Sequence, residues 1–341
     1  MNLQNIGLKA IAYASPDEFI SSENIENQLQ DLYTKLKLPF GRIEMQTGIK
    51  SRGLFYNKKP SDIATLAAKK IFASKEFEAE SIDLLIHASV CRDFLEPSTA
   101  SVIHSNLKLR DDCISFDLSN ACLGVVNAIT VASQMINSGS IKNALIVTGE
   151  NSEPLLRKTI ETLKADDSIT RKSIKKYFAN FTIGSAGVAL VISNNVDSLA
   201  NFTSALSLSD SSAHTLCQGD GNTESLVMET DSELLMQKGV ALASRNWNNF
   251  KSLEKTTNCF YDHFICHQVG IHHRDFLYKS LELDISKDQM SFDRFGNTGS
   301  AALPLTLALA VEKKAFKKHD KIAMLGIGSG IHTLMMGMKW N

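Results

Sequence analysis

The stretch ISFDLSNACLGVVNAI, residues 114–129, decides how the chain folds, because two kinds of secondary structure meet in it. It begins like a buried strand and continues with the apolar spacing of an amphipathic helix. Cys122 lies where the two meet. A cysteine at that point can be a small buried hydrophobe, a metal ligand or a nucleophile, and the rest of the sequence has to distinguish these roles.

The start of a helix favours the nucleophile. The first N–H groups of a helix have no partner within it and carry partial positive charge. A thiolate is stabilised there, so the sequence predicts a pKa for Cys122 below the ordinary value of about 8.5. The same N–H groups can hold the oxyanion that forms when a carbonyl is attacked. Gly124 permits the close approach of a substrate or of a neighbouring backbone.

Composition excludes several classes of function. The chain has 341 residues, of which 43% are hydrophobic, enough for a large core in two domains or two packed halves. A net charge of −1 gives no electrostatic basis for binding nucleic acid or an anionic membrane. No segment resembles a signal peptide, and the most apolar run, residues 301–311, is too short to span a bilayer. The six cysteines form no C-x-x-C pair, so we expect free thiols and a cytoplasmic protein.

Strand-like and helix-like segments alternate along the chain, which predicts an α/β fold with mostly buried strands. We expect an N-terminal half, residues 1–195, that carries Cys122, and a C-terminal half, residues 196–341. A helical insert at about 155–178 interrupts the first half. Because no low-complexity linker separates the halves, we expect them to pack into one body.

The insert is rich in lysine and arginine, including Arg171, Lys172 and Lys175. Two interpretations are open. The basic side chains can form an ordinary solvated helix face, or they can form a docking surface for a phosphate-bearing or acidic partner.

Four of the nine histidines lie in HFICHQVGIHH, between His263 and His273. A zinc site made of His263, Cys266 and His267 is disfavoured, because neighbouring residues on a strand point to opposite faces and no cysteine pair completes the set. The alternative is a catalytic histidine at the end of a strand. His267 is the first candidate, because HQ ends the apolar run, whereas His272 and His273 are expected at the surface of the next helix.

Two glycine-rich loops complete the candidates. Asn297, in RFGNTGSAALPL, opens an apolar helix, and a helix-capping role is the alternative there. The run GIGSG, residues 326–330, looks like a dinucleotide-binding loop. However, a strand-like segment follows it, and the chain leaves no room for the acidic ribose partner. A backbone turn that offers N–H groups to an oxyanion fits this loop better.

In this order, NACLG, HQ, GNTGSAA and the glycine-rich C-terminal loop resemble the thiolase superfamily, and most closely its β-ketoacyl-ACP synthase III branch. The early TGIKSR, residues 47–52, is similar to the TGI-x-x-R motif of that branch. The resemblance covers essentially the whole chain. It implies a five-layered αβαβα fold with two similar halves and a homodimer. It also implies CoA or phosphopantetheine thioesters as substrates, with no further cofactor and no metal, and acyl-CoA or acyl carrier protein as partners.

The resemblance also implies a role for each candidate residue. Cys122 is the nucleophile that stores an acyl group as a thioester. His267 and Asn297 donate hydrogen bonds to the thioester oxygen of the second substrate and so stabilise its enolate. The N–H groups of Cys122 and Ser329 form the oxyanion hole.

Three features depart from the wider family. The C-terminal GSGIH lacks the second cysteine of degradative thiolases, and no tryptophan precedes TGI, so CoA contacts cannot be transferred to that segment. Glu96 stands before Pro97, where the synthase III branch usually has an apolar residue. A surface carboxylate near a helix start is one interpretation. However, Glu96 at this spacing from Cys122 resembles the subgroup that begins bacterial long-chain olefin synthesis, in which a glutamate of the neighbouring protomer is the base.

We therefore expect an acyltransferase that performs a Claisen condensation of two fatty acyl-CoAs to a 2-alkyl-3-keto acid, with Glu96 as base. An ordinary synthase III that condenses acyl-CoA with malonyl-ACP is the enzymatic alternative. The alternative from another class is a non-catalytic partner subunit of a condensing complex. The presence of Cys122, His267 and Asn297 disfavours that third alternative, because such subunits usually lose the cysteine.

Overall fold

The computed structural model describes residues 1–75, 77–219, 228–267 and 269–341. The strands in these ranges are β1 (Ile6–Ala14), β2 (Glu18–Ser21), β3 (Ser51–Leu54), β4 (Leu84–Ala88), β5 (Ile114–Leu118), β6 (Ala144–Glu150), β7 (Ala186–Asn194), β8 (Ala200–Ser209), β9 (Cys217–Gly219), β10 (Met228–Thr230), β11 (His263–Cys266), β12 (Lys321–Gly328) and β13 (His332–Trp340). The α-helices in the same ranges are α1 (Ser22–Gln28), α2 (Gln30–Lys35), α3 (Arg42–Thr47), α4 (Pro60–Ala73), α5 (Thr99–Leu107), α6 (Gly124–Asn137), α7 (Glu153–Ala165), α8 (Ser232–Glu254), α9 (Ile271–Leu281), α10 (Phe292–Phe295) and α11 (Ala302–Glu312).

Nine of the strands in the described ranges form one sheet in the order β11-β12-β13-β8-β1-β7-β6-β4-β5. Its two parts repeat one pattern. From β1 outward, β7 is antiparallel to β1, β6 is antiparallel to β7, and β4 is parallel to β6. From β8 outward, β13, β12 and β11 follow the same orientations. The predicted boundary between residues 195 and 196 falls between β7 and β8, and the division into two domains stays a prediction.

Side chains on these strands point alternately to two apolar layers. On β6, Ala144 and Ile146 share a core cluster with α6 and α11, whereas Leu145 and Val147 share another with α4 and α5. The second part of the sheet packs on the same central helices and carries α8 and α9 on its outer face. The result is the layer order α4/α5, sheet, α6/α11, sheet, α8/α9, which confirms the predicted five-layered fold.

The carboxyl ends of parallel strands meet at one edge of each part of the sheet, and this edge positions the candidate residues. Strands β4, β5 and β6 are parallel, so the turn after β5 and the last residue of β6 lie near each other. In the second part, β11 and β12 are parallel, so His267 lies beside the glycine-rich loop. The strand ends thus bring together residues that are far apart in sequence.

The insert of the first half is helical, as the sequence predicts. It consists of α7 and a 3₁₀ segment, Ser173–Phe181. No helix in the described part of the chain combines the length and the hydrophobicity that a membrane span needs.

Candidate active site

Cys122 lies in the turn between β5 and α6. The N–H of Leu123 donates to the carbonyl of Asn120 at 2.9 Å, and α6 begins at Gly124. Ala121, directly before the cysteine, has φ 45°, in the left-handed region that residues with a side chain enter only at a cost in free energy. The thiol therefore has the strand-to-helix placement that the sequence predicts, with a strained residue in front of it.

The acidity of the Cys122 thiol differs from the prediction. Desolvation raises its pKa to about 12, and the charge of Glu150 and the nearby Cys217 thiol act in the same direction. The stabilising effect expected from the helix start is outweighed, because the half-buried thiol is desolvated by the protein around it and lies near a carboxylate. The prediction of a lowered pKa is therefore wrong. The thiol is protonated at neutral pH and has to lose its proton when it attacks a substrate.

The glycine-rich loop, residues 326–330, lies against the backbone of Cys122. A Cβ added to Gly328 would lie 3.5 Å from the backbone nitrogen of Cys122 and 3.2 Å from Cγ of Leu123. Ser329 is the next residue, in the turn between β12 and β13. The two backbone segments named for the oxyanion hole are thus in contact, and the role of their N–H groups stays a prediction.

His267 follows the carboxyl end of β11. Its N–H donates to the carbonyl of Leu325 on β12 at 2.8 Å, and its ring is buried. Burial lowers the pKa of His267 to about 3, and nearby His273 acts in the same direction. The ring is therefore neutral at physiological pH, with one N–H to donate. Its Nδ1 has no hydrogen-bond partner among the described residues.

His273 is buried, contrary to the prediction that it lies at the surface. Its exposed fraction is only 8%, and the centroid of its ring lies 6.5 Å from that of His267. Burial lowers the pKa of His273 to about 4. The periodicity of α9 contained the signal, because His273 shares a helix face with Leu277 and Leu281, which are also buried. His272 is exposed, as predicted.

Backbone pairing holds Asn297 against the segment that precedes β7. Its N–H donates to the carbonyl of Thr182 at 2.8 Å, and its own carbonyl accepts from the N–H of Gly184 at 2.9 Å. The approach is close, because a Cβ on Gly184 would lie 1.8 Å from the carbonyl oxygen of Phe295. The Asn297 Oδ1 accepts from the N–H of Gly299 at 3.1 Å. This orientation leaves the NH₂ group of Asn297 to donate to a substrate.

The loop that carries Asn297 packs against the start of α6. A Cβ on Gly124 would lie 3.4 Å from Cβ of Ser300 and 3.2 Å from the carbonyl carbon of Ala88. Gly124 therefore permits the close approach of neighbouring backbone that the sequence predicts for it. As a result, the segment from Cys122 to Gly124 contacts both the glycine-rich loop, at Gly328, and the Asn297 loop, at Ser300.

Glu150, the last residue of β6, is a further residue of the site that none of the sequence motifs indicates. Its side chain is 4% exposed and accepts hydrogen bonds from backbone and hydroxyl groups of three other residues, Val90, Cys91 and Ser300. Among the described residues it forms no ion pair with a lysine or arginine. A signal was available, because an acidic residue closes the otherwise apolar run NALIVTGEN, and buried acids are rare.

Glu96 lies on the surface of its own chain, in the loop between β4 and α5. Two neighbouring apolar side chains are also exposed, Phe94 by 43% and Leu95 by 89%. Within the described residues, no hydrogen bond joins Glu96 to the other candidate residues. The single chain therefore leaves this carboxylate where another molecule can reach it.

The basic side chains of the insert are also on the surface. Arg171, Lys172 and Lys175 are exposed and have no ion pair among the described residues, whereas the adjacent Lys176 pairs with Glu229 at 2.6 Å. Both interpretations of this patch stay open. No group of three or more His, Cys, Asp or Glu side chains suited to a metal ion occurs in the part of the chain that the structure describes.

Known proteins similar to the chain identify its family. The family model of 3-oxoacyl-[acyl-carrier-protein] synthase III matches residues 116–162, and the model of the synthase III C-terminal region matches residues 255–340. The acyl-CoA:acyl-CoA alkyltransferase of Xanthomonas campestris pv. campestris is 33% identical, with 100% of both chains covered. The chain belongs to the synthase III family of thiolase-fold acyltransferases. The acyl-CoA:acyl-CoA alkyltransferase of Shewanella oneidensis is 31% identical to the chain described here, again with 100% of both chains covered.

Solved structures place the chain in the OleA branch of the synthase III family. The crystal structure of cerulenin-bound OleA from Xanthomonas campestris aligns with a TM-score of 0.95 and 32% identity, covering 100% of this chain and 98% of OleA. A cysteine-to-serine variant of OleA with bound lauric acid and lauroyl-CoA aligns with a TM-score of 0.94 and 32% identity, covering 99% of this chain and 100% of OleA. The chain is accordingly an enzyme, an acyltransferase with the thiolase-like fold.

Proposed function

We propose that the protein joins two fatty acyl-CoAs head to head in a Claisen condensation and forms a 2-alkyl-3-keto acid. The observation that carries the proposal is that the segment from Cys122 to Gly124 contacts both the glycine-rich loop and the Asn297 loop. The chain's full-length relatives are acyl-CoA:acyl-CoA alkyltransferases. The OleA structures include variants at one glutamate, one histidine and one cysteine, which are residue types proposed here as catalytic.

In the first step Cys122 accepts an acyl group. The thiol sulfur attacks the carbonyl of one acyl-CoA, the new C–S bond forms, and the C–S bond to CoA breaks. The proton of the Cys122 thiol leaves with the CoA thiolate, which departs as free CoA. The N–H groups of Cys122 and Ser329 stabilise the oxyanion of the tetrahedral intermediate.

In the second step a second acyl-CoA supplies the carbon nucleophile. Glu96 of the neighbouring protomer removes a proton from the α-carbon, and the neutral donors His267 and Asn297 stabilise the enolate oxygen. The α-carbon attacks the acyl group on Cys122, the C–S bond breaks, and a 2-alkyl-3-ketoacyl-CoA forms. The Cys122 thiolate that is released takes up a proton, and Glu96 gives up the one that it removed, so both groups return to their starting states. Addition of water to the remaining thioester gives the keto acid and CoA.

Two observations support a homodimer, in which Glu96 can serve the partner's site. Strand β5 is the outer edge of the sheet, and its apolar side chains are partly exposed, including Ile114 at 46%. Leu95, which directly precedes Glu96 in the loop between β4 and α5, is 89% exposed. Apolar side chains at an open sheet edge are typical of an interface. A second copy of the chain that covers this edge would meet the loop that carries Glu96.

The remaining assignments follow from the substrate class. Arg171, Lys172 and Lys175 are exposed cations that can bind the phosphates of CoA, or the acidic surface of an acyl carrier protein if that is the donor. The chemistry uses a nucleophile, a base and hydrogen-bond donors, so it requires no further cofactor. All six cysteines are free thiols, which fits the reducing cytoplasm.

Products formed from a defined acyl-CoA test the proposal. Wild-type protein with a single fatty acyl-CoA should form the 2-alkyl-3-keto acid without malonyl-ACP, and Cys122 should gain one acyl group in intact-mass spectra. Glu96→Gln should still acylate Cys122 but lose condensation, because the amide cannot remove the α-proton. Glu80→Gln, the same change at another exposed position, is the matched control and should behave like wild type.

Each alternative has its own outcome. Product that forms only with malonyl-ACP would identify an ordinary synthase III, because loss of carbon dioxide generates the enolate without a base. An absence of any acyl adduct on Cys122 would identify a non-catalytic subunit.

A further inference from the structure

Glu150 is a buried carboxylate that the proposed reaction does not use. Its Oε1 accepts from the N–H of Val90 at 2.9 Å, from the N–H of Ser300 at 3.2 Å and from the Ser300 hydroxyl at 2.6 Å. Its Oε2 accepts from the N–H of Cys91 at 3.1 Å. These donors belong to two separate segments, one that leads from β4 toward Glu96 and one that follows Asn297.

We propose that Glu150 is a positioning residue of the condensation, because it fixes the Asn297 loop against the start of the Glu96 loop. One carboxylate then sets the geometry of two groups that act on the second substrate. The inference rests on the proposed function for its effect on condensation.

Ser300 strengthens the contact between the Asn297 loop and the Glu96 loop, which is called the junction below. Its hydroxyl lies 2.8 Å from the carbonyl oxygen of Ala88 and 2.9 Å from Oγ1 of Thr148, in addition to its contact with Glu150. The end of β4, strand β6 and the Asn297 loop therefore meet at one side chain. The same Ser300 packs against Gly124 at the start of α6, so a shift of the junction would reach the turn of the nucleophile.

The Glu96 loop is held at its far end as well. Asp117 on β5 accepts from the N–H groups of Thr99 at 2.8 Å and Ala100 at 2.7 Å, at the start of α5. Glu150 holds the entrance of the loop and Asp117 holds its exit. Glu96 lies between them without a hydrogen bond among the described residues. Asp93, which accepts from the N–H of Ser61 at 2.9 Å and from its hydroxyl at 2.6 Å, is a further anchor between Glu150 and Glu96.

The charge of Glu150 also affects the acidity of the Cys122 thiol, which an uncharged side chain at the same position would not do. The titratable groups that act on the Cys122 thiol are Glu150 and Cys217, and both raise its pKa. Glu150 also raises the pKa of Cys91, which faces it. Removal of the carboxylate charge should therefore make the Cys122 thiol more acidic and speed its alkylation at a given pH.

Two variants separate position from charge. Glu150→Gln removes the charge and turns an NH₂ group toward backbone donors, whereas Glu150→Asp keeps the charge but is too short to reach both segments. We expect both to lower condensation at least tenfold and to leave acylation of Cys122 within about threefold of wild type. Alkylation of Cys122 by iodoacetamide between about pH 8 and 10, followed by peptide mass spectrometry, should be faster in Glu150→Gln and unchanged in Glu150→Asp.

The outcomes are distinct. A wild-type rate of condensation in Glu150→Gln would overturn the inference. A loss of condensation in that variant without faster alkylation of Cys122 would overturn it too, because that result indicates a purely structural role. If wild type itself fails to condense two acyl-CoAs, the proposed function fails and the role of Glu150 in condensation fails with it. The alkylation rates, which need no acyl-CoA, then still show whether the Glu150 charge acts on the Cys122 thiol. If Glu150→Gln does not fold, Ser300→Ala replaces it and should lose condensation with wild-type alkylation, and wild-type condensation there would overturn the inference. Glu80→Gln should leave both readouts unchanged.

Discussion

Cys122 and His267 both enter the reaction uncharged. The thiol has a pKa of about 12 and the imidazole a pKa of about 3, so a thiolate–imidazolium pair is not the resting state. A neutral imidazole donates a hydrogen bond to a thioester oxygen without adding a positive charge that would attract water or a counter-ion. The same property keeps His267 from titrating between about pH 5 and 9, since its folded pKa lies well below that range.

The two donors should affect the second step more than the first. His267→Ala and Asn297→Ala each remove one donor to the enolate oxygen, and the loss of one such donor costs about 10²–10³ in rate. We expect condensation to fall by that factor while acylation of Cys122 changes far less. Intact-mass time courses with one acyl-CoA measure acylation, and quantification of the keto acid measures condensation. His272→Ala, at an exposed position on α9, is the control, and equal slowing of both steps in either variant would contradict the division of roles.

Residue types and their local context could be predicted from the sequence, and their electrostatic environment could not. The strand-to-helix pattern located Cys122, and the end of an apolar run located His267. The raised pKa of Cys122 depends on desolvation and on Glu150, which is 28 positions away in the chain. The burial of His273 likewise depends on how α9 packs, a property of the whole second half.

At the scale of elements, the Asn297 loop depends on glycine at position 184. A Cβ there would lie 1.8 Å from a backbone carbonyl oxygen, which cannot move without breaking the pairing that holds Asn297. We expect Gly184→Ala to lower the free energy of unfolding by about 1–3 kcal/mol, the usual cost of overpacking, and to slow condensation. Urea denaturation measures the first effect and keto acid formation the second.

Gly139→Ala is the comparison for this change. Gly139 has φ +76° but no atom within 4 Å of an added Cβ, so only backbone strain opposes the substitution. It should cost about 1 kcal/mol and leave condensation intact. If the two variants lose the same free energy of unfolding and both keep condensation activity, the close approach at Gly184 does not contribute to the reaction.

Elements themselves could be predicted well, because buried strands and amphipathic helices leave distinct periodicities. The stretch at residues 114–129 does contain a strand, Ile114–Leu118, followed by a helix that begins at Gly124, as its spacing predicts. Strand order and loop contacts could not be obtained in the same way. The pairing of Asn297 with the segment before β7, for example, joins residues more than one hundred positions apart and leaves no periodic trace.

At the scale of the whole molecule, each active site is proposed to contain residues of two chains. Co-expression of Cys122→Ala with Glu96→Gln tests this directly. In a mixed dimer, one site combines the intact Cys122 of one chain with the intact Glu96 of the other. With equal expression and random pairing, about a quarter of wild-type condensation should return, although each variant alone has none.

The mixture has a built-in control. Purified variants that are mixed without exchange of subunits should stay inactive, and size-exclusion chromatography with light scattering establishes whether dimers are present. Failure to recover activity in dimers that contain both variants would place Glu96 in the site of its own chain or remove it from the reaction.

The left-handed backbone of Ala121 also limits how stable the turn at Cys122 can be. An alanine in this conformation costs about 1–2 kcal/mol, which a glycine would largely avoid. Glycine, however, adds freedom to the unfolded chain and to the turn itself, and so offsets part of that gain. Alanine leaves the peptide before the sulfur fewer alternative conformations. Glycine at position 121 would therefore give a less strained turn, whereas the alanine that is present restricts the directions in which the backbone can aim the Cys122 sulfur.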